Sequence, residues 1–164
     1  MLLAIDIGNT NIKYGIFEED KLVASFRVSS RLTRTADEYG SGLINLLLTK
    51  GIKKEDINGI IMSSVIPSLN YTICHMCEYF FEISPLMIGP GLKTGLNIKA
   101  ENSKEVGADI IVNSVSAFNK YGGPIIVIDF GTATTFDVIS EKGELLGVII
   151  ASCDNVQPDL PQHS

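Results

Sequence analysis

One short pattern occurs twice in this chain of 164 residues. Residues 2–11 read LLAIDIGNTN, and residues 125–135 read IIVIDFGTATT. Each copy places an apolar run before Asp-x-Gly, at Asp6 and at Asp129, and follows it with small hydroxyl or amide residues and a second apolar run. A short apolar run that ends in a glycine turn predicts a buried strand with a hairpin partner. We therefore expect two related β-meanders.

The stretch between the two copies predicts alternating helices and strands. After a third strand that ends near Val28, the pattern predicts a helix from Thr35 or Asp37 to about residue 50, a strand at 57–62, a helix from Pro67 to about Phe81 and a strand at 85–88. A loop over 89–101 and a helix opened by Asn102 and Glu105 follow. We expect an α/β fold with a mixed five-stranded sheet over residues 1–121, an incomplete second lobe with a three-strand meander over 122–151, and an irregular tail over 152–164.

Composition narrows the class of protein. Apolar residues make up 45% of the chain, enough for a proper core, and the formal net charge is −6 with Lys and Arg scattered, which argues against a nucleic-acid partner. The apolar runs are too short to span a bilayer and the start lacks a basic signal region, so we expect a cytoplasmic protein with no membrane partner. Cys74 and Cys77 have C-x-x-C spacing, but no second Cys/His pair stands at zinc-ligand spacing, which favours buried helical thiols.

The residues after each Asp suit a phosphate chain. Gly8 lets the backbone approach a ligand closely, and the amides of residues 8–11 with the Thr10 hydroxyl are suited to phosphate oxygens. Lys13 adds a point charge, and Asp6 is the kind of carboxylate that Mg²⁺ prefers beside a phosphate. Residues 129–135 supply a second set of amides and hydroxyls. A single copy is equally an ordinary hairpin turn with a polar tip, but two copies favour a nucleotide site.

The segment Gly107-Ala108-Asp109 is a third candidate. Small residues leave room for a ligand close to the backbone, and Asp109 stands on a mostly apolar predicted helix. The alternative is a surface Asp in a first helical turn, where the helix dipole favours an acidic residue. Spacing alone leaves both readings open.

Five segments together resemble the type III pantothenate kinase family. They are DIGNTNIK at 6–13, GPGLKTGLN at 89–97, EVGAD at 105–109 with Asn113 after it, YGGP at 121–124 and DFGTATTFD at 129–137. The resemblance implies an actin-like, ribonuclease H-like ATPase fold. It also implies ATP-dependent phosphorylation of the primary hydroxyl of pantothenate to 4′-phosphopantothenate, the first step of coenzyme A biosynthesis, by a homodimer.

The resemblance assigns roles to individual residues. It implies that ATP phosphates and Mg²⁺ are held by Asp6, Ile7, Gly8, Asn9, Thr10, Asn11, Ile12 and Lys13, with Gly131 and Thr132 from the second copy. It implies a pantothenate pocket bordered by Gly107, Ala108, Asp109, Ile110 and Asn97. Asp109 would be the general base, and Asp129 would bind a monovalent cation, K⁺ or NH₄⁺.

Two departures from the family pattern have consequences. Ile110 stands where the family has Arg, so a polar substrate contact is expected to be weaker. The resemblance is expected to end near Gly147, before the rest of the family's second lobe.

The alternative function is a homologue that binds nucleotide or a partner subunit without turnover. A sugar or acetate kinase of the same fold is a third reading, against which the Gly107–Asp109 segment argues.

Overall fold

The computed structural model describes residues 1–89, 92–99, 106–131 and 133–152. These residues form two compact units. The first contains the described residues of 1–93 and 106–112, and the second contains those of 94–99 and 113–152. The division falls inside the helix α3, Ala108–Tyr121. The domain boundary that the sequence suggests at residue 121 stays a prediction.

The first unit contains the predicted mixed five-stranded sheet. Its strands are β1 (Leu2–Ile7), β2 (Asn11–Glu18), β3 (Lys21–Ser29), β4 (Gly59–Ser64) and β5 (Leu86–Met87), in the order β3-β2-β1-β4-β5. The first three are antiparallel neighbours, whereas β4 runs parallel to β1 and to β5. This order places β1 at the centre of the sheet, so its carboxyl end is flanked by strands on both sides.

Two helices accompany this sheet, and their ends agree with the sequence signals. Helix α1 (Ala36–Leu48) begins with a capping box between Thr35 and Glu38, and helix α2 (Pro67–Phe81) has proline in its first turn. Apolar side chains of both helices share one core with alternate residues of β1, β2 and β4. The core members on β1 are Leu3, Ile5 and Ile7, each at most 2% exposed.

The second unit contains the second meander with one strand more than the sequence predicts. Strands β7 (Ile125–Phe130), β8 (Ala133–Ile139) and β9 (Glu144–Ser152) are antiparallel neighbours. The short strand β6 (Asn97–Ile98) lies within the predicted loop 89–101 and pairs in parallel with β9, so the sheet order is β6-β9-β8-β7. The predicted three-strand meander is therefore present, and the loop adds a fourth strand because the amides of Asn97 and Lys99 donate to the carbonyls of Gly143 and Leu145.

Helix α3 begins later than the sequence suggests. Val106 and Gly107 lie outside the helix, and the first helical residue is Ala108. The proposed Asn102 and Glu105 cap falls outside the described residues, as does the predicted tail after residue 152. In the described part of the chain, no helix combines the length and the apolar character that crossing a bilayer requires.

Candidate functional site

Asp6 lies at the carboxyl end of the central strand between two polar partners. Strand register places Asp6 opposite Lys13 of β2 on one side and opposite Ser63 of β4 on the other. Lys13 Nζ is 3.3 Å from Asp6 Oδ2, and Ser63 Oγ donates to Asp6 Oδ1 at 3.3 Å. Ser63 is 6% exposed, whereas the side chains of Asp6 and Lys13 are 41% and 58% exposed. The carboxylate is therefore held from both sides and remains open to solvent.

The turn after Asp6 is closed by its own backbone and tied to the next strand. Gly8 N–H donates to the Asn11 carbonyl at 3.0 Å, so this amide is engaged inside the turn. Ser30 follows β3 and donates from Oγ to the Gly8 carbonyl at 2.6 Å and from its amide to the Thr10 carbonyl at 3.0 Å. A side chain at position 8 would have its Cβ 3.2 Å from the Asn11 carbonyl oxygen, which explains the small residue. Of the amides proposed for phosphate, that of Gly8 is thus already engaged.

Asp109 stands in the first turn of α3, and Gly107 precedes the helix. Asp109 Oδ1 accepts a hydrogen bond from the Ile110 amide at 2.9 Å, which fixes one oxygen of the carboxylate. A Cβ at position 107 would collide with the Asp109 carboxylate. The absence of a side chain at position 107 thus leaves room for the Asp109 carboxylate itself, and the close approach of a ligand to this segment stays a prediction. Ala108 and Ile110 are buried, so the residue in the family's Arg position contributes an apolar side chain.

The second Asp-x-Gly copy is built differently. Asp129 is exposed, and its Oδ2 accepts a hydrogen bond from Asn113 Nδ2 of α3 at 3.0 Å. Gly131 N–H donates to the Ala133 carbonyl at 3.1 Å, so this glycine amide is also engaged across its turn. Thr132, a proposed ATP contact, falls outside the described residues.

The remaining proposed residue, Asn97, is exposed on β6 in the second unit. Sequence reasoning assigned no role to Ser30 or Ser63, although both contact the first Asp-x-Gly copy. Neither belongs to a recognisable motif, because each reaches the site by strand pairing and not by closeness in the sequence. The roles proposed for all these residues stay predictions.

The oxygen donors present suit the cations that the sequence suggests. Asp6 offers one solvent-open carboxylate, and Mg²⁺ is commonly held by one or two carboxylates together with a substrate phosphate. Asp129 offers a carboxylate whose orientation is set by Asn113. Among the described residues, no group of three or more His, Cys, Asp or Glu side chains is arranged to hold a metal by itself.

The Cys-x-x-Cys segment is structural in character. Cys74 and Cys77 are free thiols on α2, the second fully buried and the first partly so. Burial raises the pKa of the Cys77 thiol to about 12, with smaller contributions from Cys74 and Glu78. Because reactivity requires the thiolate, this environment argues against a redox site and agrees with the predicted buried thiols.

Comparison with known proteins gives a consistent family assignment. The sequence model of the family described as type III pantothenate kinase matches residues 2–155, so the similarity continues past Gly147, where we expected it to end. The type III pantothenate kinase of Moorella thermoacetica is 53% identical over 151 residues, which are 92% of this chain and 59% of that protein. The one from Bacillus cytotoxicus is 49% identical over 150 residues, 92% of this chain and 57% of that protein. The chain thus spans less than two thirds of the length of these relatives.

Solved structures confirm the actin-like fold. The activator of 2-hydroxyisocaproyl-CoA dehydratase from Clostridium difficile, solved with bound ADPNP, has a TM-score of 0.55 at 17% identity. The similarity covers 93% of this chain and 46% of that one. At this identity the likeness concerns the fold alone.

Proposed function

Because the chain belongs to the type III pantothenate kinase family, we propose that it carries out the ATP-dependent phosphorylation of pantothenate to 4′-phosphopantothenate. This reaction is the first step of coenzyme A biosynthesis. The observation that carries the proposal is the family match across residues 2–155, which includes both Asp-x-Gly copies and the Gly107–Asp109 segment. The geometry of the first copy and of Asp109 supports it.

In this proposal the first turn binds the phosphates of ATP. The ion pair between Asp6 and Lys13 is exposed, and such pairs contribute only about 0–1 kcal/mol to stability. A charged hydrogen bond to a phosphate is worth about 1.5–3 kcal/mol, so Lys13 gains by moving from Asp6 to a phosphate oxygen. The amides of Asn9 to Asn11 and the Thr10 hydroxyl supply further donors.

Magnesium bound with the nucleotide would neutralise charge on the transferred phosphate. Asp6 is the residue that we propose to hold it, because its carboxylate is solvent-open and kept in place by Ser63. Asp129 is the corresponding proposed ligand of a monovalent cation, with Asn113 orienting it. Gly131 and Thr132 are the proposed nucleotide contacts of the second copy.

Asp109 is the proposed general base. Its Oδ1 is held by the Ile110 amide, and the other carboxylate oxygen is the candidate acceptor for the pantothenate hydroxyl proton. Proton removal by a positioned carboxylate typically contributes about 10²–10⁴-fold to the rate. Gly107, Ala108, Ile110 and Asn97 are the proposed neighbours of pantothenate.

The test is ATP- and Mg²⁺-dependent formation of 4′-phosphopantothenate by the purified chain, compared with Asp109→Asn. We expect Asp109→Asn to lower the rate by about 10²–10⁴-fold. Asp37→Asn is a matched control, because Asp37 is also the second residue of a helix that begins with Ala-Asp, and it is exposed. This control is expected to keep the parent rate.

The alternative is a chain that binds nucleotide or a partner subunit without turnover. The family match does not favour this alternative. Mg-ATP binding by calorimetry together with no product would favour this alternative and contradict the catalytic proposal. Equal rates for the parent and Asp109→Asn would contradict the role of Asp109 alone.

We also propose that the protein forms a homodimer, which light scattering would measure. A cytoplasmic location remains a prediction.

A further inference from the structure

Ser30 makes two hydrogen bonds to the turn that carries the first phosphate motif. It stands just after β3, 22 residues from Gly8 in the sequence. Its Oγ donates to the Gly8 carbonyl at 2.6 Å, a short bond for two oxygen atoms, and its amide donates to the Thr10 carbonyl at 3.0 Å. Both ends of the turn are therefore attached to a strand outside the Asp-x-Gly motif.

The side-chain bond fixes the direction of one backbone donor. In a trans peptide the carbonyl and the following N–H lie in one plane and point in opposite directions. The peptide after Gly8 is trans, so a Gly8 carbonyl aimed at Ser30 turns the Asn9 N–H away from Ser30. Asn9 is exposed, so we take this donor as one that an anion in solvent could reach. A freely rotating peptide would present its carbonyl to an incoming anion in part of its conformations.

The other contacts of the turn leave this peptide dependent on Ser30. The Gly8 amide is fixed by the Asn11 carbonyl, and the Thr10 carbonyl is fixed by the backbone of Ser30. The carbonyl of the peptide between Gly8 and Asn9 is held by the Ser30 side chain, and Gly8 has little intrinsic conformational restriction. Replacing the hydroxyl would therefore loosen this peptide without removing the backbone hydrogen bonds.

We propose that Ser30 is a positioning residue for the triphosphate of ATP, acting through the peptide between Gly8 and Asn9. The inference rests on the proposed function, since it takes the first turn as the phosphate site. Donors that are fixed before the ligand arrives bind more tightly, because less ordering is left for the binding step. The consequence is specific to nucleotide affinity.

The test is a calorimetric titration of the full chain with Mg-ATP, with Ser30→Ala, Ser30→Thr and Ser29→Ala. One hydrogen bond of ordinary net strength corresponds to roughly a 3- to 10-fold change in affinity, which is the loss expected for Ser30→Ala. Ser30→Thr keeps the hydroxyl and is expected to stay within about twofold of the parent. Ser29 is the exposed last residue of β3 and the neighbour of Ser30, and Ser29→Ala is expected to leave affinity unchanged.

The possible results separate this inference from the proposed function. A parent that binds Mg-ATP and a folded Ser30→Ala that binds equally well would overturn the role of Ser30 only. Equal losses in Ser29→Ala and Ser30→Ala would also overturn it, because they would indicate a general effect of the strand end. A folded parent that does not bind Mg-ATP would overturn the phosphate site itself. Should circular dichroism show Ser30→Ala unfolded, Ser30→Cys, with its weaker donor, is expected to bind Mg-ATP less tightly than the parent, and parent affinity in a folded Ser30→Cys would overturn the role of Ser30.

Discussion

The two Asp-x-Gly strands carry equivalent apolar rows in opposite environments. Aligned on Asp6 and Asp129, the row Leu3, Ile5 and Ile7 of β1 corresponds to Ile126, Ile128 and Phe130 of β7. The β1 residues are 0%, 2% and 0% exposed, and the β7 residues are 61%, 48% and 83% exposed. Two similar local sequences thus each form an antiparallel hairpin, with the apolar row buried in the first and exposed in the second.

The difference lies in what packs on each sheet. Helices α1 and α2 share a core with the β1 row, whereas the described part of α3 contacts the second sheet through Asn113 and through Phe118 near Gly143. Burying a large apolar side chain is worth about 1.5–3 kcal/mol, so the first row stabilises its unit and the second contributes little. An exposed row of this kind also marks a surface suited to contact with another apolar face.

The largest expected effect compares the residue between Asp and Gly in the two copies. Ile7→Ala is expected to lower the free energy of unfolding by about 2–5 kcal/mol, because it leaves a cavity in a packed core. Phe130→Ala is expected to change it by about 0.5 kcal/mol or less, because the ring is exposed. Urea unfolding of both variants checks this. Similar losses would mean that the β7 row is covered in solution, for example by a second copy.

The next comparison concerns the partners of the two carboxylates. Lys13→Met keeps the aliphatic stem and removes the charge, and it is expected to weaken Mg-ATP binding by about tenfold. Its effect on stability is expected to stay below about 1 kcal/mol, since the ion pair is exposed. Asn113→Ala removes the partner of Asp129 and serves as the matched variant, with calorimetry reporting affinity for both. A larger loss of affinity in Asn113→Ala would make the second copy the principal phosphate site.

The smallest effects are expected at two glycines and should have opposite signs. A Cβ at Gly40 of α1 would collide with the Phe80 ring of α2. Overpacking of this kind costs about 1–3 kcal/mol, whereas alanine gains about 1 kcal/mol over glycine in helix propensity. We therefore expect Gly40→Ala to lower the free energy of unfolding. A Cβ at Gly147 of β9 would meet nothing within 4 Å, so Gly147→Ala is expected to stabilise by about 0.5 kcal/mol. Thermal melts of the pair check these signs. A stabilising Gly40→Ala would show that the α1–α2 contact adjusts easily.

The sequence predicted most of the first unit because its signals are local. The capping box at Thr35, proline at position 67 and the alternating strands each lie within a few residues of the boundary that they predict. The prediction was wrong where a distant partner decides the structure. Residues 97–98 form a strand only because β9 offers an open edge, and nothing in their own sequence indicates this.

The same limit applies to the candidate site. The motif residues Asp6, Gly8 and Lys13 were recognisable from spacing, but Ser30 and Ser63 reach them through strand pairing. Position 110 shows the reverse case. From the sequence, we expected Ile110 to weaken a substrate contact. In the structure its side chain is only 8% exposed. An Arg introduced there would therefore have to lose the hydration of its charge or rearrange its surroundings.

The row formed by Lys13, Asp6 and Ser63 runs across three neighbouring strands at one register position. Side chains alternate between the faces of a sheet, so a one-residue slip of β1 would turn Asp6 toward the apolar core and Ile5 or Ile7 toward solvent. Correct strand pairing is therefore a condition shared by the stability of the core and the chemistry of the carboxylate. A one-residue insertion within β1 would remove both at once, which makes this strand a poor place for tolerated length variation and a sensitive reporter of misfolding.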